Sequence, residues 1–192
     1  MLKSWLVKSN LAFRIKASFK RPFFILLSIS IIFMQVACTG LPNDIRPVSH
    51  FDLDRYLGTW HEIARLDHSF ERGLSRVTAE YSRQADGSIK VINKGYSKEN
   101  NVWQNVEGKA KFVGDKNIGH LKVSFFGPFY GSYIIFKLDM VDYQYAFVTS
   151  YNKDFLWLLA RTPVVSNAVL TEFKEAIAHY GFDIQNIIYV AQ

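Results

Sequence analysis

From residue 48 to the C-terminus, apolar positions recur mostly every second residue, in short runs parted by turn signals. That period belongs to half-buried strands. The first run follows Gly58 and carries Trp60; a loop over 67–73 leads to a second over 76–82. Asp86-Gly87 is a hairpin turn into a third run over 88–93. The run over 106–112 has the cleanest alternation, with Glu107, Lys109 and Lys111 predicted outward and Val106, Gly108, Ala110 and Phe112 inward. Runs over 119–126, 132–138, 145–149 and 155–161 complete eight, nearly all joined by hairpin-length links.

Consecutive strands with short links form an antiparallel meander, and eight of them remove their exposed edges by closing into a barrel. After the eighth run the period changes. Val169, Phe173, Ile177 and Tyr180 recur at helical spacing between a Ser166 cap and Gly181. A last apolar run covers 187–190. The predicted fold is therefore all-β: an eight-stranded antiparallel up-and-down barrel, one C-terminal helix packed on its wall, and a short ninth strand.

The first 37 residues are of another kind. Six basic residues (Lys3, Lys8, Arg14, Lys16, Lys20 and Arg21) precede an apolar run over 22–37, and no acid occurs before Asp44. A basic segment, a short apolar core and small residues at its end read as a secretory signal, and the run is short of the ~20 residues of a membrane span. Cys38, the lone cysteine, follows directly. Its place resembles the lipobox of bacterial lipoproteins, although Gln35 stands where an aliphatic residue is expected. The expectation is a signal over 1–37, a lipidated tether over 38–47 whose prolines hold the body off a membrane, and a barrel domain over 48–192. Thr39 after the cysteine points to the outer membrane, with the domain facing the periplasm.

The leader also alters the charge balance. The chain is +6, yet without those six basic residues 17 remain against 17 acids, so no basic surface suggests a nucleic-acid partner. Chemistry is equally sparse. His61-Glu62 begins like a zinc-protease motif, but Arg65 holds the position of its second histidine. Asp67-His68-Ser69 has the letters of a hydrolase triad, whose members cannot converge when adjacent. Neither an enzyme, a metal site nor a cofactor is expected.

Gly58-Thr59-Trp60, Thr149-Ser150-Tyr151 and Arg161 together resemble the three signatures of the lipocalins. The stretches over 51–60, 65–73, 122–130 and 156–163 are similar to the bacterial outer-membrane lipoprotein branch, relatives of apolipoprotein D. Two departures stand out: His61 where that branch has Tyr, and Ser150 where the wider family has an acid. The resemblance implies that Trp60 and Arg161 jointly close one end of the barrel. It also implies a fatty acid or lysophospholipid as guest, carried in membrane maintenance or stress by a monomer or dimer tied to the membrane through acylated Cys38. Small inward residues, Gly108 and Ala110, predict room inside, and 24 of the 30 aromatics lie beyond the leader. By parity the candidate wall residues are Tyr81, Phe112, Phe125, Tyr133, Tyr145 and Trp157. The loop over 67–73 is either a lid at the open end or a merely solvated loop, and the alternatives to a carrier are a lipocalin-fold enzyme acting on a small apolar substrate and a passive structural envelope lipoprotein.

Overall fold

Asp52 starts the first regular element: its carboxylate accepts from the Asp54 N–H, capping helix α1 (Leu53–Tyr56). The computed structural model describes residues 39–192; the leader and Cys38 lie outside the described residues. Gly58, at φ +92°, turns the chain from α1 into β1 (Gly58–Leu66). The meander continues through β2 (Leu74–Arg83), β3 (Ile89–Ser97), β4 (Val102–Phe112), β5 (His120–Ser124), β6 (Gly131–Leu138), β7 (Tyr145–Thr149) and β8 (Leu156–Ala160).

Every neighbour in this series pairs antiparallel, and β1 pairs with both β2 and β8, so the barrel closes. The β3–β4 hairpin is longer than the apolar alternation predicts, because backbone pairing runs on from Lys94↔Asn105 to Ser97↔Val102 past its amphipathic part. Strand β1 forks. Its first half, Gly58 to His61, pairs with β2, and its last three residues pair with β9 (Ile187–Tyr189).

Helix α2 (Asn167–Tyr180) lies on the wall. Ser166 Oγ accepts from the Val169 N–H, and Gly181 ends the helix at φ +67°. Its buried Phe173 and Ile177 join Ile63, Ala64, Phe147, Leu158 and Ala160 in an apolar layer between helix and sheet. A second apolar cluster fills the barrel, around Trp60, Tyr81, Val91, Leu121, Ala146 and Val148.

Residues 39–47 are not the free spacer that their prolines and glycine suggest. Ile45 is fully buried, with Leu41 packed alongside the same outer layer. Gly40 O accepts from Ser132 Oγ at 2.7 Å, and Lys153 Nζ meets Asp44 Oδ2 at 2.6 Å. Two apolar side chains with a seam to fill outweigh the extended, solvated preference of the backbone around them.

Candidate ligand site inside the barrel

The floor is built from rings. Trp60 has no exposed surface; it lies 4.6 Å from the Tyr56 ring, and its indole N–H donates to Tyr56 O at 2.8 Å. The Arg161 guanidinium covers the indole from outside, with Cζ 3.9 Å from the ring centroid. Its nitrogens donate to Arg55 O (2.6 Å), Thr59 O (3.0 Å) and Tyr143 O (3.3 Å). One cation thus covers a π face and satisfies three carbonyls where α1, β1 and the β6–β7 loop converge.

Above the floor lies a polar row of which the sequence reading names only Tyr81, Tyr133 and Trp157. The Tyr56 and Tyr81 hydroxyls each share a hydrogen bond with the Tyr133 hydroxyl, at 2.7 and 2.8 Å. Burial pushes all three phenols up, so they stay neutral. Further along β1, Arg65 Nη1 donates to Glu62 Oε1 at 2.6 Å, with both side chains almost wholly enclosed. The β1–β2 loop folds inward onto this pair. Arg65 Nη2 donates to Glu71 O at 2.7 Å, and the Trp157 indole N–H donates to Glu71 Oε2 at 3.1 Å. His68 Nε2 lies 3.0 Å from Glu71 Oε2, out of line for a hydrogen bond.

Two carboxyl groups share this enclosure with one guanidinium. Burial pushes Glu62 well up, and the neighbouring Glu71 charge adds to the rise beyond what Arg65 offsets. Burial also acts to raise Glu71, but the contacts from His68, Trp157 and Glu62 outweigh it and hold Glu71 below the usual carboxylate range. The arrangement offers a polar head both donors and acceptors: Arg65 Nε and His68 Nδ1 are buried with no partner.

Register explains why these residues point in. Trp60 faces the interior, and a period of two brings Glu62 in as well. Between Glu62 and Ala64 the pairing with β8 slips by one residue, which sends Ala64 and Leu66 outward beneath α2 and turns Arg65 inward beside Trp157. The inward pull on Glu62 is legible as parity with Trp60; the bulge leaves no mark in the sequence.

Of the six predicted wall residues, Tyr81, Phe112, Phe125, Tyr133 and Trp157 gather in the interior cluster. Tyr145 does not. It belongs to the outer layer, where its hydroxyl donates to Glu172 Oε2 of α2 at 2.7 Å, itself paired with Lys137. Its β7 neighbours Ala146 and Val148 hold the inward positions, one residue out of step with the parity assumed for Tyr145. The expectation of space at Gly108 also needs correcting. A Cβ there would lie 2.7 Å from the Phe125 ring and 2.9 Å from Ser124 O, so this glycine makes room for a facing aromatic. Gly108→Val is expected to cost about 1–3 kcal/mol by overpacking, read as a melting temperature lower by several degrees.

A recess of about 260 Å³ near the β5–β6 loop touches Gly108 and Phe125, but its other walls include Lys90, Glu107 and Lys109. Glu107 and Lys109 lie on the water side of β4, and Lys90 pairs with Glu107, so this is a polar surface recess apart from the interior site. The candidate lid over 67–73 is half interior and half exposed: His68 and Glu71 are buried, while Phe70 is exposed and stacks on Phe155. Ser150 donates to Ser132 O at 2.7 Å and so ties the β7–β8 loop to β6. Among the described residues, no three His, Cys, Asp or Glu side chains are placed to hold a metal ion.

Comparison with known proteins agrees with this architecture. Residues 51–192 match the lipocalin-like domain family. The chain is 56% identical over 155 residues to the outer membrane lipoprotein Blc of Vibrio cholerae, covering 81% of this chain and 91% of that one. It is 49% identical to Blc of Escherichia coli K12 (83% and 91% covered) and 32% identical to mouse apolipoprotein D (72% and 75%). Among solved structures, insecticyanin of the tobacco hornworm Manduca sexta superposes with a TM-score of 0.64 at 23% identity, covering 80% of this chain and 87% of that one. With its barrel closed, Gly58-Thr59-Trp60 and Arg161 at the floor and its relatives spanning most of the chain, the protein belongs to the lipocalin family.

Proposed function

We propose that this lipocalin is an outer-membrane lipoprotein, acylated at Cys38, that holds a fatty acid or lysophospholipid inside its barrel. The relatives named as outer membrane lipoproteins support the location; the domain's place on the periplasmic side is part of the proposal. One observation carries the ligand reading: a buried polar row, Glu62–Arg65–Glu71 with the three tyrosine hydroxyls, set inside an otherwise aromatic and aliphatic interior. Such a lining suits an amphiphile, whose head meets the row while its tail meets Phe112, Phe125, Val91 and Val148. The tail supplies the reason for a carrier. Each methylene costs about 0.8 kcal/mol to expose to water, so a sixteen-carbon chain does not cross unaided.

Native mass spectrometry of the protein extracted from its own membrane tests this. The expected result is a co-purifying single-chain lipid, retained less well by Arg65→Met than by the parent. Protein that carries no lipid and takes none up from lysophospholipid micelles would overturn the carrier reading.

The raised Glu62 carboxyl favours one second reading, acid–base catalysis on an apolar substrate. Turnover of a bound ester or isomerisable lipid that disappears in Glu62→Gln would establish it. A bound lipid recovered chemically unchanged supports the carrier.

A further inference from the structure

We propose that the open rim of the barrel docks mouth-down on the bilayer to which Cys38 ties the chain. The β1–β2, β3–β4, β5–β6 and β7–β8 links all lie at the end opposite Trp60 and Arg161. Each carries or adjoins an exposed apolar ring: Phe70 (71% exposed), Trp103 (47%), Phe126 and Phe129 (76% each) and Tyr151 (41%). Among the described residues, the exposed large hydrophobics in the β4–β5 and β6–β7 links and just past Arg161 are aliphatic or Met: Val113, Met140, Val141 and Val164. On this rim Arg72 pairs with Asp67 and Lys153 with Asp44, and the β3–β4 link carries one charge of each sign, Lys98 and Glu99, so the rings are the main attractive surface. Aromatic side chains at a membrane boundary suit its mixed polarity.

The occupant follows from where the described chain begins. Gly40 is held at the open end by Ser132, the second residue of β6, and Asp44 by Lys153 in the β7–β8 loop. Cys38 is two residues from Gly40, a reach of at most ~7 Å, against a barrel wall of nine-residue strands such as β1 about 30 Å tall. An acyl chain on Cys38 therefore enters the membrane beside the rim and cannot reach it from the closed end. Docked this way, a lipid tail passes from leaflet to barrel without crossing water, which adds a loading route to the carrier reading on which this inference rests.

The test places one nitroxide label on the full chain, by Phe129→Cys or, at the closed end, Val141→Cys, in vesicles of phosphatidylethanolamine and phosphatidylglycerol. Acylated Cys38 does not take the label. Docking predicts that position 129 loses access to an aqueous nickel complex and gains access to oxygen on adding vesicles, while 141 is unchanged. Protein that floats with the vesicles while position 129 stays as aqueous as 141 overturns docking but leaves the anchor intact. Protection at 129 without vesicles, rising with protein concentration, overturns it in favour of a second copy covering the rim. A Cys38→Ser chain separates the contributions. Phe126→Ser with Phe129→Ser should lower its vesicle partitioning roughly tenfold or more, since each ring buries apolar surface. An unchanged coefficient overturns the rim's part. If Cys38→Ser floats as well as the parent, docking stands and acylation falls.

Discussion

Trp60→Ala is expected to lower the melting temperature by about 10 °C, followed by circular dichroism. The ring has no exposed surface and is gripped from both faces, by Tyr56 inside and Arg161 outside. Removing a buried Trp side chain costs about 3–5 kcal/mol, and for a body of this size each kcal/mol is worth roughly 2–4 °C. The loss also strands partners. Tyr56 O loses its indole donor, and Arg161 is left over a void that water enters from the closed end. Arg161→Ala should cost less, because the three carbonyls it serves border solvent and can rehydrate. Arg161→Lys should behave more like alanine than like the parent, since a single ammonium cannot reach Arg55 O, Thr59 O and Tyr143 O at once. Unchanged melting in both Trp60→Ala and Arg161→Ala would remove this pair as the floor of the barrel.

What could be read from the chain follows a physical divide. Alternation and turn chemistry are local, so the eight strands, the Ser166 and Gly181 caps and the inward face of β4 were legible from neighbours in sequence. The floor pair was legible only through family resemblance, because nothing local to Arg161 says which ring it covers, about a hundred residues upstream. Parity failed where a strand has both faces buried. Strand β7 packs against the interior on one side and α2 on the other, so Tyr145 and Ala146 look equally eligible for the cavity. Gly108 misled for a related reason: a missing side chain shows where volume is free, and only the fold shows that Phe125 takes it. The ionic row stayed hidden behind one unmarked bulge in β1 and a loop whose charged residues read as solvated. Ile45 likewise looked like part of a spacer until the seam beneath α2 was in view.

That hidden row should carry the second large effect. Arg65→Ala takes the guanidinium away from the enclosed Glu62 carboxyl and frees the carbonyl of Glu71 that fixes the β1–β2 loop. Breaking a buried pair from one side costs about 3–5 kcal/mol, a loss on the scale of the Trp60 truncation. Adding Glu62→Gln should recover part of it, because one of the two competing carboxyls is then permanently neutral. The same pair sets a pH profile whose sign can be worked out. Native Glu62 holds its proton above its unfolded value of about 4.5, so above that pH the folded state binds more protons than the unfolded one. Stability therefore falls as pH rises through this window, with a limiting slope of about 1.4 kcal/mol per unit. Glu71 acts in the opposite sense: its native value lies below 4.5, so its contribution is present above that pH and lost on acidification through the native value. Denaturant titrations from pH 4 to 8 should show the alkaline decline in the parent and its absence in Glu62→Gln, with the acid-side loss from Glu71 retained. Parallel profiles for the two proteins would mean that Glu62 titrates like an ordinary solvated carboxyl. The latch on the β1–β2 loop would then rest on Arg65 and the Glu71 backbone alone.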